Sequence, residues 1–325
     1  MSAERKALDA KEPVRLAVMG AGRWGINVVR TLSKLDGVEL SWVADPDPRA
    51  RERAASVSPS SRVCESIERA LRDVHAVVIC TPANDHFEHA SFVLASGRHA
   101  LVEKPMATCS VEARRLGEHA DASGLILMVG HQLLHHPLFV ELERLVLADS
   151  IGPLAEIRTE RTGIIDFESD PDVLWAFGPH DISMILALTG EQPSSLSCAG
   201  SIDPSQGALD RATVELRFAS GLVARVELDG TSARQRRRLT VVGERGRAVF
   251  DDAEPGGRLT VIGDERVAIE PDVDRGFEPL ARSCRHFTDC VRTGERPKTD
   301  GRHGQLVTEL IERIASEARD GDHAA

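Results

Sequence analysis

Tyrosine is absent from the 325-residue chain, and aromatic residues make up only 4% of it. Any mechanism that needs a tyrosine acid is thereby excluded, including the Tyr/Lys chemistry of short-chain dehydrogenases. The six cysteines, Cys64, Cys80, Cys109, Cys198, Cys284 and Cys290, form no CxxC pair. Scattered thiols fit a reducing compartment better than a disulfide framework or a zinc site. The longest apolar runs, such as HAVVIC and GLILMVG, fall far below the roughly 20 residues of a membrane span. Positive charge is also scarce: 40 Lys and Arg against 51 Asp and Glu leave a net charge of −11, which argues against nucleic acid as a partner. The opening MSAERKALDAKEP lacks the apolar core of a signal peptide. Residues 1–13 are expected to be a flexible tail on a cytoplasmic protein.

A chain of this length accommodates two domains. From residue 14 to 130, the runs VRLAVMG, VELSWVAD, HAVVICTP, HALVEKP and LILMVGHQ alternate with helical patterns such as GINVVRTLSKL and HFEHASFVLASG. That rhythm predicts a parallel sheet covered by helices on both faces. After residue 131 the texture changes to period-two alternation, in RATVELRFASGLVARVELDG and RRLTVVGERGRAVFDD. The expected architecture is α/β: an N-terminal Rossmann doubly wound parallel sheet (14–130), then a C-terminal α/β domain (131–325) on a mostly antiparallel open sheet. The amphipathic segments EPLARSCRHFTDCVRTGERP and QLVTELIERIASEA read as closing helices.

Gly20, Gly22 and Gly25 form GAGRWG between an apolar strand and a helical pattern. Glycines there permit a tight turn and close approach of a pyrophosphate, and the helix N-terminus supplies N–H donors and positive dipole. Ala21, Arg23 and Trp24 complete the loop. Asp45 ends the second strand 20 residues after Gly25, where a carboxylate accepts ribose hydroxyls and repels a 2′-phosphate. NAD is the expected cofactor. Arg49 and Arg51 keep NADP as the alternative.

Ligands of doubly wound sheets bind beyond the carboxyl ends of the strands. CTPANDH ends the fourth strand and VEKP the fifth, so Thr81, Pro82, Asn84, His86, Glu103 and Lys104 are candidates to face the nicotinamide half. Lys104 has the chemistry to stabilise a developing alkoxide, with Glu103 holding the lysine or the cofactor. The competing reading is a solvated strand end. The Lys104–Pro105 bond is a candidate for cis geometry, since only X-Pro bonds tolerate cis cheaply. His131 and Gln132, ending the sixth strand, are expected to line the site. No carboxylate or cysteine completes a ligand set around His131, His135 and His136, so no metal is expected.

GAGRWG, Asp45, TPANDH, EKP, GHQLLHHP, WAFGPHDIS and HFTDCVRTGERPKTDG together resemble the glucose-fructose oxidoreductase/inositol dehydrogenase/MocA family, over residues 14–318. The resemblance implies NAD(P)-linked oxidation or reduction of a secondary alcohol on a sugar, cyclitol or nucleotide sugar. It also implies a second domain whose sheet forms oligomer contacts, here a homodimer or homotetramer. Its catalytic lysine matches Lys104 and its substrate-domain histidine matches His180. The family's DxGxH carries an aspartate four residues before that histidine, where this chain has Ala176. His180 suits proton transfer because imidazole titrates near neutrality. The competing reading has Asp181 capping a helix that starts there, with His180 packing beside it.

Further substrate-binding candidates are Trp175, which is equally a core residue, Asp181, and Arg161 for an anionic group. The run Arg234–Arg238 reads as a solvated strand edge. Three functions follow: a sugar dehydrogenase or ketoreductase, a redox-neutral NAD-dependent glycosidase or lyase, and a nicotinamide-binding regulator that has lost turnover.

Overall fold

The computed structural model describes residues 12–165, 172–203, 205–253, 256–263, 268–269 and 278–322; all but the last two residues of the expected 1–13 tail lie outside them. The chain divides into two compact units, residues 1–132 with 280–308, and residues 133–279 with 309–325.

The first unit is built on six parallel strands: β1 (Val14–Met19), β2 (Val38–Ala44), β3 (Arg62–Cys64), β4 (Ala76–Ile79), β5 (His99–Val102) and β6 (Leu127–Val129). Their order, β3-β2-β1-β4-β5-β6, reverses direction between β1 and β4, the switch point where doubly wound sheets bind ligands. AVVI of β4 is buried throughout, as a strand covered on both faces must be. Helices α1 (Gly25–Leu32) and α2 (Pro48–Val57) pack Val28, Val29, Leu32, Ala50 and Ala54 on one face. On the other, α3 (His86–Ala95) and α4 (Ser110–Ser123) pack Val93, Leu94, Ala113 and Leu116.

A single break near residue 130 does not describe this chain. Cys284, Phe287, Cys290 and Val291 of α7 (Pro279–Thr293) join the core formed by β1 and α1, with Phe287 fully buried. Burying that apolar face returns residues 280–308 to the first unit.

The second unit carries α5 (Pro137–Leu147), β7 (Leu154–Ile164), α6 (Val173–Thr189), β8 (Ser195–Asp203), β9 (Ala208–Arg217), β10 (Val223–Asp229), β11 (Thr231–Gly243), β12 (Gly246–Asp251), β13 (Arg258–Gly263) and β14 (Ala268–Ile269). The eight strands form one sheet, β14-β13-β12-β11-β7-β10-β9-β8, antiparallel except for β7 with β10. Ile157, Val214, Val226 and Val241 alternate inward to a fully or almost fully buried face. The arginine run is not an edge: β11 lies between β7 and β12, where Arg236 pairs with Glu160 and Arg238 with Asp251. Cross-strand carboxylates, rather than solvent alone, balance it.

Helix α6 begins earlier than expected. Asp172 caps it by accepting the Trp175 N–H at 2.9 Å, and Pro179 lies inside it. Proline reads as a helix start, but burial of Val173, Leu174 and Ala176 in the preceding turns outweighs the lost hydrogen bond. His180 is therefore mid-helix, and Asp181 caps nothing. Its carboxylate receives the Arg161 guanidinium from β7, Nε to Oδ2 at 2.7 Å and Nη2 to Oδ1 at 3.4 Å, with the two residues 6% and 1% exposed. Burial pushes the Asp181 carboxyl up and Arg161 pulls it back. Asp181→Asn strands a buried cation and is expected to lower the unfolding free energy by about 3–5 kcal/mol, read from denaturant melts. The paired change Arg161→Met with Asp181→Leu is expected to recover most of that loss.

Candidate active site

The loop between β1 and α1 is shaped by backbone packed on backbone. A Cβ at Gly20, whose φ is +92°, would lie 2.7 Å from the Cys80 carbonyl oxygen; one at Gly25 would lie 2.0 Å from the Gly20 carbonyl oxygen. Both positions exclude every other residue. Gly22 differs, because a Cβ there meets nothing within 4 Å. Helix α1 starts beside it with no side-chain cap and no acid in its first turn. Open space over a glycine at an uncapped helix N-terminus suits a pyrophosphate.

Asp45 follows β2 and is 8% exposed. Its Oδ2 accepts the Ala21 N–H at 2.7 Å and its Oδ1 the Asp47 N–H at 2.9 Å. The acid thus holds the glycine loop in place. A carboxylate has about four lone-pair sites, so two N–H bonds leave acceptor capacity for ribose hydroxyls. Arg51 lies at the same corner, its Nη1 donating to the Asp45 and Pro46 carbonyls at 2.7 and 2.9 Å.

After β4, the Thr81 hydroxyl meets His89 Nδ1 at 2.9 Å, while Pro82 and Asn84 are exposed. His86 is 1% exposed, with Nδ1 2.6 Å from the Pro105 carbonyl and Nε2 2.8 Å from the Thr81 carbonyl. Its ring is committed to tying the CTPANDH turn to the EKP turn, and is not available to a cofactor. Burial lowers its pKa.

The EKP turn ends β5. The Lys104–Pro105 peptide is cis, and Lys104 is half-buried. Glu103 is buried; its Oε2 accepts the Lys104 N–H at 3.3 Å. Burial raises the Glu103 pKa, opposed in part by Lys104. A Cβ at Gly130 would lie 2.9 Å from Glu103 Oε2, so a larger residue in MVGHQ would displace the carboxylate end of that side chain.

His131, after β6, is 2% exposed and meets His303 edge-on, with centroids 5.2 Å apart and planes at 73°. Burial lowers His303 to about 4. Gln132 is half-buried. In the second unit, His180 and Trp175 are half-buried on α6, and the position of the expected aspartate is the buried, apolar Ala176. Arg161 and Asp181, expected against substrate, are spent on each other. Gly130 and His303 escaped sequence reading. Only the glycine in MVGHQ left a signal, as a break in an apolar run. Among the described residues, no cluster of three or more His, Cys, Asp or Glu is arranged to hold a metal, and no helix is long and apolar enough to cross a membrane.

Residues 14–131 match the oxidoreductase family, NAD-binding Rossmann fold, and residues 139–249 match the GFO/IDH/MocA C-terminal domain. The chain belongs to the Gfo/Idh/MocA family. Like other members of this oxidoreductase family it is an NAD(P)-dependent dehydrogenase or reductase, and its first unit is the NAD-binding Rossmann domain. UDP-N-acetylglucosamine 3-dehydrogenase of Acidithiobacillus ferrooxidans is 29% identical over 231 residues, covering 70% of this chain and 71% of that protein. Its solved structure superposes with a TM-score of 0.83 at 24% identity, covering 93% of this chain and 97% of that one. A solved structure from Magnetospirillum magnetotacticum MS-1 is 31% identical, with a TM-score of 0.81 and 93% and 99% of the two chains covered. The 4-carboxy-2-hydroxymuconate-6-semialdehyde dehydrogenase of Sphingobium sp. (strain NBRC 103272 / SYK-6) is 25% identical, covering 88% of this chain and 93% of that protein.

The glycine geometry separates binding from folding in this Gfo/Idh/MocA protein. Gly22→Ala is expected to leave the melting temperature unchanged while weakening NADH binding by about tenfold or more, roughly 1.4 kcal/mol, in a fluorescence titration. Gly25→Ala is expected to lose both.

Proposed function

We propose that the protein is an NAD-dependent dehydrogenase or ketoreductase for a secondary alcohol or ketone of a sugar, with nucleotide-linked sugars as the leading class. The observation that carries this reading is the first unit's strand edge, where an open glycine cradle and the Glu103–Lys104 turn belong to one sheet. The likeness to a UDP-N-acetylglucosamine 3-dehydrogenase supports the substrate class. Asp45 opposes a 2′-phosphate, which favours NAD over NADP. The proposed setting is a cytoplasmic homo-oligomer, a dimer or tetramer assembled through the second unit's sheet.

Bound nicotinamide supplies the hydride chemistry. The chain's own part is orientation and proton handling. Ala21, Gly22 and Arg23, at the start of α1, hold the pyrophosphate, and Asp45 takes the ribose hydroxyls. Thr81, Pro82, Asn84 and Gln132 border the nicotinamide half. Lys104 Nζ donates to the substrate oxygen and favours its alkoxide character. A ring nitrogen of His180 takes the hydroxyl proton in oxidation and returns it in reduction. With alanine at position 176, Lys104 and His180 act without the family's aspartate; His131 and Trp175 contribute to substrate binding.

The test is a panel of nucleotide sugars, free sugars and cyclitols incubated with NAD, followed by NADH absorbance. Substrate-dependent NADH establishes the reading. Sugar release without net NADH would replace it with the redox-neutral glycosidase or lyase, and NADH binding without turnover with the regulator. His180→Asn is expected to lower turnover by about 10² to 10⁴ while leaving the NADH dissociation constant unchanged, measured on the same preparation.

A further inference from the structure

The inward face of the second sheet is apolar through its middle and ends in a row of charge. Arg161 on β7 lies directly opposite Arg237 on β11, and the Asp252 N–H, one residue past β12, donates to the Arg237 carbonyl at 3.0 Å. Opposed residues project to the same side of a sheet, and Arg161 follows Ile157 and Thr159 on the buried side. Asp252 continues the alternation of Ala248 and Phe250, both buried. Asp252, Arg237 and Arg161 therefore stand side by side on the inward face. Two residues further along β7, a Cβ at Gly163 would lie 3.5 Å from Phe177 Cζ and 3.8 Å from Gln235 Cγ, so a ring of α6 and an amide border the same end of that face. The charged members of the row differ in what meets them. Arg161 is spent on Asp181, and Arg236 and Arg238 pair with acids on the opposite face. Arg237 is exposed and, among the described residues, has no ion-pair partner. Asp252 Oδ1 is buried and accepts no hydrogen bond. Burial raises the Asp252 carboxyl, opposed by Arg161 and then by Arg237.

We propose that Asp252 and Arg237 form a subsite that reads two adjacent hydroxyls of an uncharged sugar ring. Opposed guanidinium groups repel, and a buried carboxylate oxygen without a donor destabilises the fold, so the row is completed by a ligand that answers both ends. A hydroxyl donates and accepts. One hydroxyl of a vicinal diol gives its O–H to Asp252 Oδ1, and the oxygen of the next accepts an N–H from Arg237. A phosphate or carboxylate satisfies only the arginine and meets the aspartate as a like charge; an ammonium group satisfies only the aspartate. The mixed pair therefore selects a neutral polyol over an anion, and the diphosphate of a nucleotide-linked substrate is not bound here. His180 stands on the helix that packs on this row, one residue before Asp181 and three after Phe177. The subsite deepens the proposed sugar oxidoreductase and rests on that reading.

Two measurements test this. On the NADH-loaded full chain, saturation-transfer NMR with the panel's free sugars, cyclitols and nucleotide sugars is expected to find at least one bound ring. Its dissociation constant is expected to rise about tenfold or more in Arg237→Ala and in Asp252→Ala. Deoxy analogues of that ring then identify the contacts: two adjacent deoxy positions weaken binding to the parent, one of them has no effect in Asp252→Ala and the other none in Arg237→Ala. Should Asp252→Ala fail to fold, Asp252→Asn carries the same comparison. Affinity unchanged in either variant, or no ring bound by the parent, overturns the subsite. So does competition by inorganic phosphate that Arg237→Ala abolishes, which would make Arg237 an anion site. With NAD and the ring that binds, the two variants are expected to raise KM by the same factor while kcat stays within about threefold of the parent. Binding without turnover would sink the proposed function and leave the subsite standing. Turnover with KM unchanged in both variants would do the reverse.

Discussion

The first unit depends on a contact that no side chain can enter. Gly25 sits against the Gly20 carbonyl and Gly20 against the Cys80 carbonyl, so the chain leaving β1 is pressed onto the end of β4. Asp45 fixes the same loop from the opposite side through the Ala21 N–H. Once those contacts form, the start of α1 faces the strand edge with Gly22 open above it. The turn after β5, carrying Lys104, comes from the strand next to β4. The shape of the loop thus follows from backbone packing, which is why the fold resists change at Gly20 and Gly25 and tolerates it at Gly22.

Buried charge is handled differently in the two units. Among the described residues no guanidinium pairs with Glu103; a backbone N–H and the neighbouring lysine share its charge. Such an arrangement costs stability and is retained where the charge has work to do. Arg161 and Asp181 neutralise each other inside the second unit, which fixes α6, the helix that carries His180 and Trp175, on β7. The pair's contribution to function is indirect.

How much of this was legible in the sequence depended on range. The places of GAGRWG, Asp45 and EKP at strand ends could be read because they are set by local β-α order, and the parallel sheet because β4 is a continuous apolar run and β1 is one but for Arg15. The period-two segments gave the second sheet, but not the position of β11 within it, since alternation reveals a strand's faces and not its neighbours. Asp181 looked like a cap or a ligand because its partner is 20 residues away on another element. His86 looked like a cofactor contact because nothing local announces two carbonyl acceptors, one of them at Pro105. Pro179 suggested a helix start where packing of the preceding turns carried the helix through it. The return of Phe287 to the first core depends on which surface α7 buries, and hydrophobic spacing does not say.

The most direct test of the central claim follows one atom. With a substrate deuterated at the reacting carbinol carbon and incubated with NAD, the account predicts deuterium on the nicotinamide ring of the NADH produced, by mass spectrometry, together with a ketone in the sugar product. Deuterium retained in a sugar released without net NADH, or exchanged into solvent with no labelled NADH at any stage, would contradict it.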